Sequence, residues 1–345
     1  MKTKIINISS TPNIKEELQF AAQIIRQGGL VVFPTETVYG LGGDATDPEA
    51  ACKIYNAKGR PSNNPLIIHI SDPKDAERYA VTSEYYYRLA KAFMPGPLTV
   101  ILPKKDSIPS EVTGGLDTVA VRCPAHPVAQ ELIRQAGVPV AAPSANISGR
   151  PSPTSAQYCI SDLDGKVDVI IDGGECDIGL ESTIVMLQGG KAILLRPGAI
   201  TYDALLCVCE SVELSAAAQG TVAENERPLA PGMMYRHYAP SSSFVLLDGK
   251  KDAFIPYIKE RRQNGENCAV ICSSVEADML DNQNTIIYGD PNDTITQAHR
   301  LFSALREADA LHCNVIYARK PEPQGLGLAL YNRMIRAASH TVIKI

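Results

Sequence analysis

Short apolar, β-branched runs alternate with helically spaced stretches through the first two-thirds of the chain. Runs at 30–33, 66–70, 98–102, 118–123, 138–142, 167–172, 183–187 and 192–195 have the length and residue types of strands. Helical spacing appears at 48–58, 83–93, 127–135 and 155–163. The first of these helices is the best marked: Asp47 suits the N-cap, Pro48 the first turn, and Gly59 the position just past the end. Some strands follow one another with no helix between them, which predicts a mixed α/β sheet rather than a purely parallel one.

From 215 to 243 the periodicity stops. The segment ends in Pro231-Gly-Met-Met-Tyr-Arg-His-Tyr238-Ala-Pro, richer in Tyr, His, Arg and Met than a spacer needs, and reads as a linker that docks on something. Beyond it, strands at 244–247, 268–272, 285–288, 315–318 and 341–345 alternate with helices at 251–263, 293–307 and 328–338. That is the pattern of a small, open, doubly wound α/β sheet. Gly325-Leu-Gly327 precedes a helix but follows no strand directly, so a dinucleotide fingerprint is not supported. The expected organisation is a first domain over 1–214, a linker over 215–243 and a smaller domain over 244–345.

Length agrees with two domains, since 345 residues exceed what one compact core usually holds. With 45% hydrophobic and 21% charged residues the chain is not a disordered one. Its net charge of -5 argues against a general nucleic-acid or acidic-membrane binder, so any RNA contact would be local. No apolar run is long enough to span a bilayer, and the first residues lack the apolar stretch of a signal peptide. The nine cysteines are scattered without zinc spacing; Cys268 and Cys272 flank an apolar run and read as buried thiols, which fits a reducing cytoplasm.

Three polar segments leave predicted elements. Pro34-Thr-Glu-Thr-Val-Tyr-Gly-Leu-Gly-Gly43 follows a strand and is either a ligand loop, with Thr35 and Thr37 as donors, or a glycine-rich turn. Lys58-Gly-Arg-Pro-Ser-Asn-Asn-Pro65 places two cations at a helix C-terminus, where the helix dipole alone would favour them. The loop also presents Ser62, Asn63 and Asn64 between two prolines, the mixture of charge and directed donors that a phosphate needs. Ala142-Pro-Ser-Ala-Asn-Ile-Ser-Gly-Arg-Pro-Ser-Pro153 brings Ser144, Asn146, Ser148 and Ser152 to a strand end. Arg122 faces away from Val119, Val121 and Cys123, and an inward arginine needs an anion, either a ligand carboxylate or a buried Asp or Glu. The same choice applies to Arg196. His69, inside Ile67-Ile-His-Ile70, reads as a satisfied core histidine, and Arg336 as solvated surface. No Walker loop, nucleophile elbow or metal-spaced cluster occurs, so the chemistry rests on cations, hydroxyls and backbone groups.

Taken in order, these segments resemble the YrdC-type threonylcarbamoyl-AMP synthase family. The likeness rests on Pro34-Thr-Glu-Thr-Val-Tyr-Gly-Leu-Gly, Lys58-Gly-Arg-Pro with Asn64-Pro-Leu, Thr118-Val-Ala-Val-Arg122-Cys-Pro, Ala142-Pro-Ser-Ala-Asn146-Ile-Ser-Gly, Glu181-Ser-Thr and Arg196-Pro-Gly. Each is modest alone, and their joint order over about 15–200 is specific. The linker motif and second α/β unit are similar to the family's long two-domain form. The resemblance implies a twisted mixed-sheet catalytic domain, a linker that acts as an active-site lid, and a smaller Rossmann-like domain. It implies an L-threonylcarbamoyladenylate synthase, a nucleotidyltransferase that joins L-threonine, bicarbonate and ATP and releases pyrophosphate. The product would pass to downstream tRNA threonylcarbamoyl-transfer proteins, for modification of the adenosine beside the anticodon.

By the same resemblance, Lys58 and Arg60 are the catalytic cations. Thr37, His69, Arg122, Ala142 and Ser182 correspond to the threonine pocket. Arg60, Asn64, Thr118, Ser144, Asn146, Ser152, Arg196 and Tyr238 correspond to the ATP site. Magnesium is expected with ATP, held by phosphates and water rather than by a protein cage. The rival reading is an RNA-binding or ribosome-associated module whose basic cavity holds phosphate; a step within a larger carbamoyltransferase would need zinc-type cysteine pairs that the chain lacks.

Overall fold

The computed structural model describes residues 2–11, 13–221, 237–280 and 283–345. The chain divides into two compact units, Met1–Ser148 with Ser152–Met234, and Gly149–Pro151 with Tyr235–Ile345.

Eleven described strands of the first unit form one sheet. They are β1 (Lys4–Asn7), β2 (Val31–Phe33), β3 (Gly40–Asp44), β4 (Ile67–His69), β5 (Leu98–Pro103), β6 (Thr118–Arg122), β7 (Val140–Ala141), β8 (Val169–Asp172), β9 (Thr183–Gln188), β10 (Lys191–Arg196) and β11 (Ser211–Leu214). Their order is β1-β8-β2-β3-β7-β4-β6-β5-β9-β10-β11. Parallel pairs such as β4–β6 and β5–β9 alternate with antiparallel ones such as β2–β3, β5–β6 and β9–β10, so the sheet is mixed, as the uninterrupted strand pairs predict.

The glycine segment differs from its expected loop form. Its second half is β3, antiparallel to β2, and a Cβ at Gly42 would stand 2.6 Å from the Val140 side chain and 2.8 Å from Phe33. Glycine here lets a strand pack against large neighbours, one of the reasons glycine occurs inside strands. The ligand-loop reading therefore contracts to residues 34–39.

Helices cover both faces. On one, Ile14–Arg26 and Pro127–Ala136 bury Leu18, Ala21, Ala22, Ile25, Val128, Leu132 and Ile133 against Phe33, Val140 and Val169. On the other, Pro48–Lys58, Glu84–Phe93 and Ala156–Leu163 pack Ile54, Tyr55, Tyr86, Leu89 and Leu163 on Leu41, Ile68, Val100 and Val121. Each fully buried Leu or Ile contributes about 1.5–3 kcal/mol. Farther along the first face, the apolar cluster of Ile67, Ile101, Ala120, Ile184 and Leu195 is drawn from strands alone. It forms the floor on which the polar groups of the site stand.

In the second unit, β12 (Ser243–Asp248), β13 (Cys268–Cys272), β14 (Thr285–Ile287), β15 (Val315–Arg319) and β16 (Val342–Lys344) form an all-parallel sheet in the order β14-β13-β15-β12-β16. Helices Lys251–Gln263, Thr294–Asp309 and Gly327–Ala337 connect them, the open α/β arrangement expected. Arg336 is not solvated: it is 2% exposed, beside a fully buried Arg333, because the helix Gly327–Ala337 is enclosed nearly all round and its polar residues go inside with it. Of the 215–243 linker, residues 222–236 lie outside the described residues, and the lid expectation falls largely on them. Tyr238 is described: it is buried, has φ 65, and stacks on Phe302 at 5.1 Å between ring centroids. Among the described residues no helix is long and apolar enough to cross a membrane.

Candidate active site

The site begins where the helix Pro48–Lys58 stops. Asp47 starts that helix by accepting from the Glu49 amide, and Gly59 ends it in the left-handed region at φ 62, a conformation glycine adopts without steric cost. This sharp stop puts Lys58 in the last turn and Arg60 just beyond it. Lys58 is 1% exposed. Its Nζ donates to the Ser144 carbonyl at 2.5 Å and to the Asn146 carbonyl, while Ser148 N donates back to Lys58 O at 2.9 Å. Ser144 Oγ in turn donates to Asn146 Oδ1 at 2.5 Å. Arg60 is wrapped by its own loop: Nε donates to Asn64 O at 3.1 Å, and Nη2 to Asn64 Oδ1 at 2.5 Å and Pro65 O at 3.0 Å. These partners are carbonyl and amide oxygens, which orient a cation without cancelling its charge.

A second group crosses the sheet in register. His69 on β4 pairs with Arg122 on β6, Arg122 with Thr99 on β5, Thr99 with Ile184 on β9, and Ile184 with Arg196 on β10. Paired residues share a face and adjacent strands lie about 4.8 Å apart, so these side chains form one row. Ser182, just before β9, links its end: Ser182 Oγ is 2.7 Å from Thr99 Oγ1, and Arg196 donates to Ser182 O at 3.0 Å and to its Oγ at 3.1 Å. His69 Nδ1 lies 3.2 Å from Ile67 O and 3.3 Å from Val140 O. Burial, and then the charge of Arg122, push its pKa down to about 3, so the imidazole is neutral at physiological pH. It is a hydrogen-bonded core histidine that also stands in the polar row.

The 34–39 loop closes over this row. Thr35 Oγ1 lies 2.8 Å from Thr37 Oγ1 and donates to Val38 O at 2.6 Å, while Ile178 N and Gly179 N donate to Glu36 O and Thr37 O. Glu36 is thereby held beside Arg122, with Oε1 to Nη2 at 2.8 Å. Within the protein, the anion facing Arg122 is therefore Glu36, and not only the ligand carboxylate that the resemblance supplies. The pair is close but poorly aligned: both Glu36 carboxylate oxygens and Arg122 Nε and Nη2 are buried without a hydrogen bond among the described residues. Ser152 sits on a second buried carboxylate, donating to Glu181 Oε1 at 2.6 Å.

Of the remaining expected residues, Ala142 is tied by its amide to Ile67 O at 2.8 Å, and Thr118 lies four residues before Arg122, at the opposite end of β6. Tyr238 belongs to the second unit. Sequence reading missed Glu36, Thr99 and the carboxylate of Glu181 as site members. The signal for Thr99 was present, because one hydroxyl inside Leu98-Thr-Val-Ile-Leu must find a buried partner. Among the described residues no cluster of three or more His, Cys, Asp or Glu could hold a metal. Hydroxyl, amide and cationic groups dominate the site, with the carboxylates of Glu36 and Glu181 engaged by Arg122 and Ser152.

Comparison with known proteins bears on this arrangement. Residues 23–198 match the Sua5_yciO_yrdC family, described as telomere recombination, and residues 200–339 match the family described as threonylcarbamoyl-AMP synthase, C-terminal domain. The chain is 45% identical to the threonylcarbamoyl-AMP synthase of Pyrococcus abyssi over 99% of its own length and 100% of the relative's. It is 40% identical to the threonylcarbamoyl-AMP synthase of Bacillus subtilis over 100% of both. The crystal structure of P. abyssi Sua5 complexed with L-threonine superposes with a TM-score of 0.91 at 42% identity, covering 99% of this chain and 100% of that one. The chain belongs to the Sua5/YciO/YrdC family, in its two-domain threonylcarbamoyl-AMP synthase form.

Proposed function

We propose that the first unit binds L-threonine across Arg122 and Glu36, binds ATP at Lys58, Arg60 and the 142–148 segment, and joins them with bicarbonate into L-threonylcarbamoyladenylate. The observation that carries this reading is the buried Arg122–Glu36 pair with unused hydrogen-bonding atoms on both sides. Such atoms are costly to bury, and a ligand with an anionic and a donor group satisfies both. An α-amino acid is such a ligand: its carboxylate takes the guanidinium and its ammonium takes the carboxylate. The row of His69, Thr99 and Ser182 supplies the neutral polar wall for the threonine side chain, with Thr37 and Ala142 at its rim.

The chemistry then needs placement more than a protein nucleophile. The threonine ammonium first gives up a proton to solvent, and the neutral amine then takes up bicarbonate carbon as a carbamate, with loss of water. A carbamate oxygen attacks the α-phosphorus of ATP, the bond from that phosphorus to the bridging oxygen breaks, and pyrophosphate leaves. Lys58 and Arg60 offset the charge that accumulates on the transferring and departing phosphates. Ser144, Asn146, Asn64, Ser152, Thr118 and Arg196 contribute directed contacts to the nucleotide. Magnesium enters with ATP, as the metal–nucleotide substrate, held by phosphates and water. The adenylate is a mixed anhydride suited to acyl transfer, consistent with threonylcarbamoylation of the tRNA adenosine beside the anticodon by separate transfer proteins in the cytoplasm. The RNA-binding alternative is disfavoured, since full-length relatives are named as synthases and the chain carries a net charge of -5.

The test is pyrophosphate release by the purified chain with each substrate left out in turn. The reading expects release only when threonine, bicarbonate and ATP are all present. Release that is indifferent to threonine and bicarbonate contradicts it.

A further inference from the structure

The second unit holds a cavity that the proposed reaction does not use. It measures about 560 Å³ and opens where β12, β13 and β15 end, with Asp248, Cys272 and Arg319 in its lining. The crevice outside the carboxyl ends of the strands is where open parallel α/β sheets take their ligands, and the volume falls in the ~300–1,000 Å³ range of small-molecule sites.

Its wall is made of opposed charges. Arg319 pairs with Glu276, Lys320 pairs with Asp248 at 2.7 Å, and Glu322 adds a third carboxylate. Three carboxylates against two cations are a poor receptor for a polyphosphate, whose like charge would be repelled. Between them stands Tyr288, 8% exposed, whose phenol lines the cavity. Glu276 is held rigidly, since it accepts from Ser273 N at 2.9 Å and Ser273 Oγ at 2.6 Å. Burial pushes the Cys272 thiol up to about 12 and the Tyr288 phenol well above its ordinary range, so neither group serves as nucleophile or base near neutrality. The cavity is built to bind rather than to react.

We propose that this cavity is a second ligand site, separate from the active site, for a small zwitterion of the amino-acid class. Its carboxylate exchanges onto Arg319, its ammonium onto Glu276 and Asp248, and the Tyr288 hydroxyl completes the contact. The inference stands independently of the catalytic reading, because every group in it lies in the second unit.

Hydrogen-exchange mass spectrometry on the full chain tests it, with each common L-amino acid supplied at millimolar concentration and AMP as the contrasting probe. The expected result is that at least one amino acid slows exchange in peptides covering 268–276, 285–297 and 315–327 while AMP does not. Tyr288→Phe should then need roughly 5-fold more ligand or above for the same protection, the worth of one hydrogen bond. Asp248→Asn, on a partly exposed ion pair, should weaken the response as well, and neither variant should alter protection around Arg122. Amino-acid protection confined to the first unit, protection by AMP alone, or an unchanged titration in Tyr288→Phe would each overturn the proposal.

Discussion

Glu36 and Arg122 approach to 2.8 Å in a buried setting without an aligned hydrogen bond between them. Breaking a buried ion pair from one side leaves an uncompensated charge and costs about 3–5 kcal/mol, whereas removing both charges is often nearly neutral. Glu36→Gln and Arg122→Met should therefore each lower stability by about 3 kcal/mol, and the double variant should regain most of that loss. Threonine binding should remain lost in the double variant. Chemical unfolding and calorimetric titration check the two halves. Additive instability, or threonine bound at the original affinity, contradicts the assignment.

Lys58 joins two roles, as its ammonium ties the 142–148 segment to the helix end and supplies charge for phosphate. Lys58→Met should cut turnover by ~100-fold, the scale of losing one transition-state charge stabiliser. It should also cost about 2 kcal/mol of stability, because buried carbonyls lose a donor. Arg60→Lys keeps the charge but loses the fork that holds Asn64 and Pro65, so it should raise the KM for ATP by ~10-fold and lower stability by about 1 kcal/mol, less than Lys58→Met. Steady-state kinetics with thermal unfolding would expose a variant that departs from this split.

Ser182 Oγ connects Thr99 to Arg196. Removing it in Ser182→Ala should weaken threonine binding by ~10-fold, the worth of one or two buried hydrogen bonds. Thr99→Val should have a similar effect. The two substitutions together should cost less than their sum, since they cut the same chain of contacts. A strictly additive double variant would show that the row does not act as a unit.

His69 gives the fold a pH dependence with a defined sign. Its folded pKa is lowered from 6.5 to about 3, so the unfolded chain binds the proton first as pH falls. The stability tied to the neutral ring is fully present above 6.5 and is lost as pH drops toward about 3. Within that window the slope is about 1.4 kcal/mol per pH unit. His69→Gln should flatten this limb of a stability-against-pH curve. An unchanged limb would mean that the ring is solvated or protonated in the native state.

Periodicity made most of the strands and long helices legible, since buried faces impose it on the sequence. The helix Ile14–Arg26 was legible too, in the spacing of Leu18, Ala21, Ala22 and Ile25, but lay outside the segments singled out. Strand β3 was not, because Gly40, Gly42 and Gly43 mimic a turn, and only the tertiary neighbours Phe33 and Val140 explain them. Local chemistry pointed to phosphate at Lys58 and Arg60 and to an anion at Arg122. It could not name Glu36, since pairing across 86 residues depends on where the 34–39 loop folds back. Arg336 was misjudged for a related reason: the last helix has polar residues on a face that other elements then cover.

The central claim is that one site joins bicarbonate carbon to threonine and to AMP. Supply heavy-carbon bicarbonate with ATP and threonine, and identify the adenylate by mass. The account predicts a threonylcarbamoyl adenylate that carries the label, formed only when threonine is present, with pyrophosphate in equal amount. ATP turnover yielding an unlabelled adenylate, or a product that forms as readily without threonine, would contradict it.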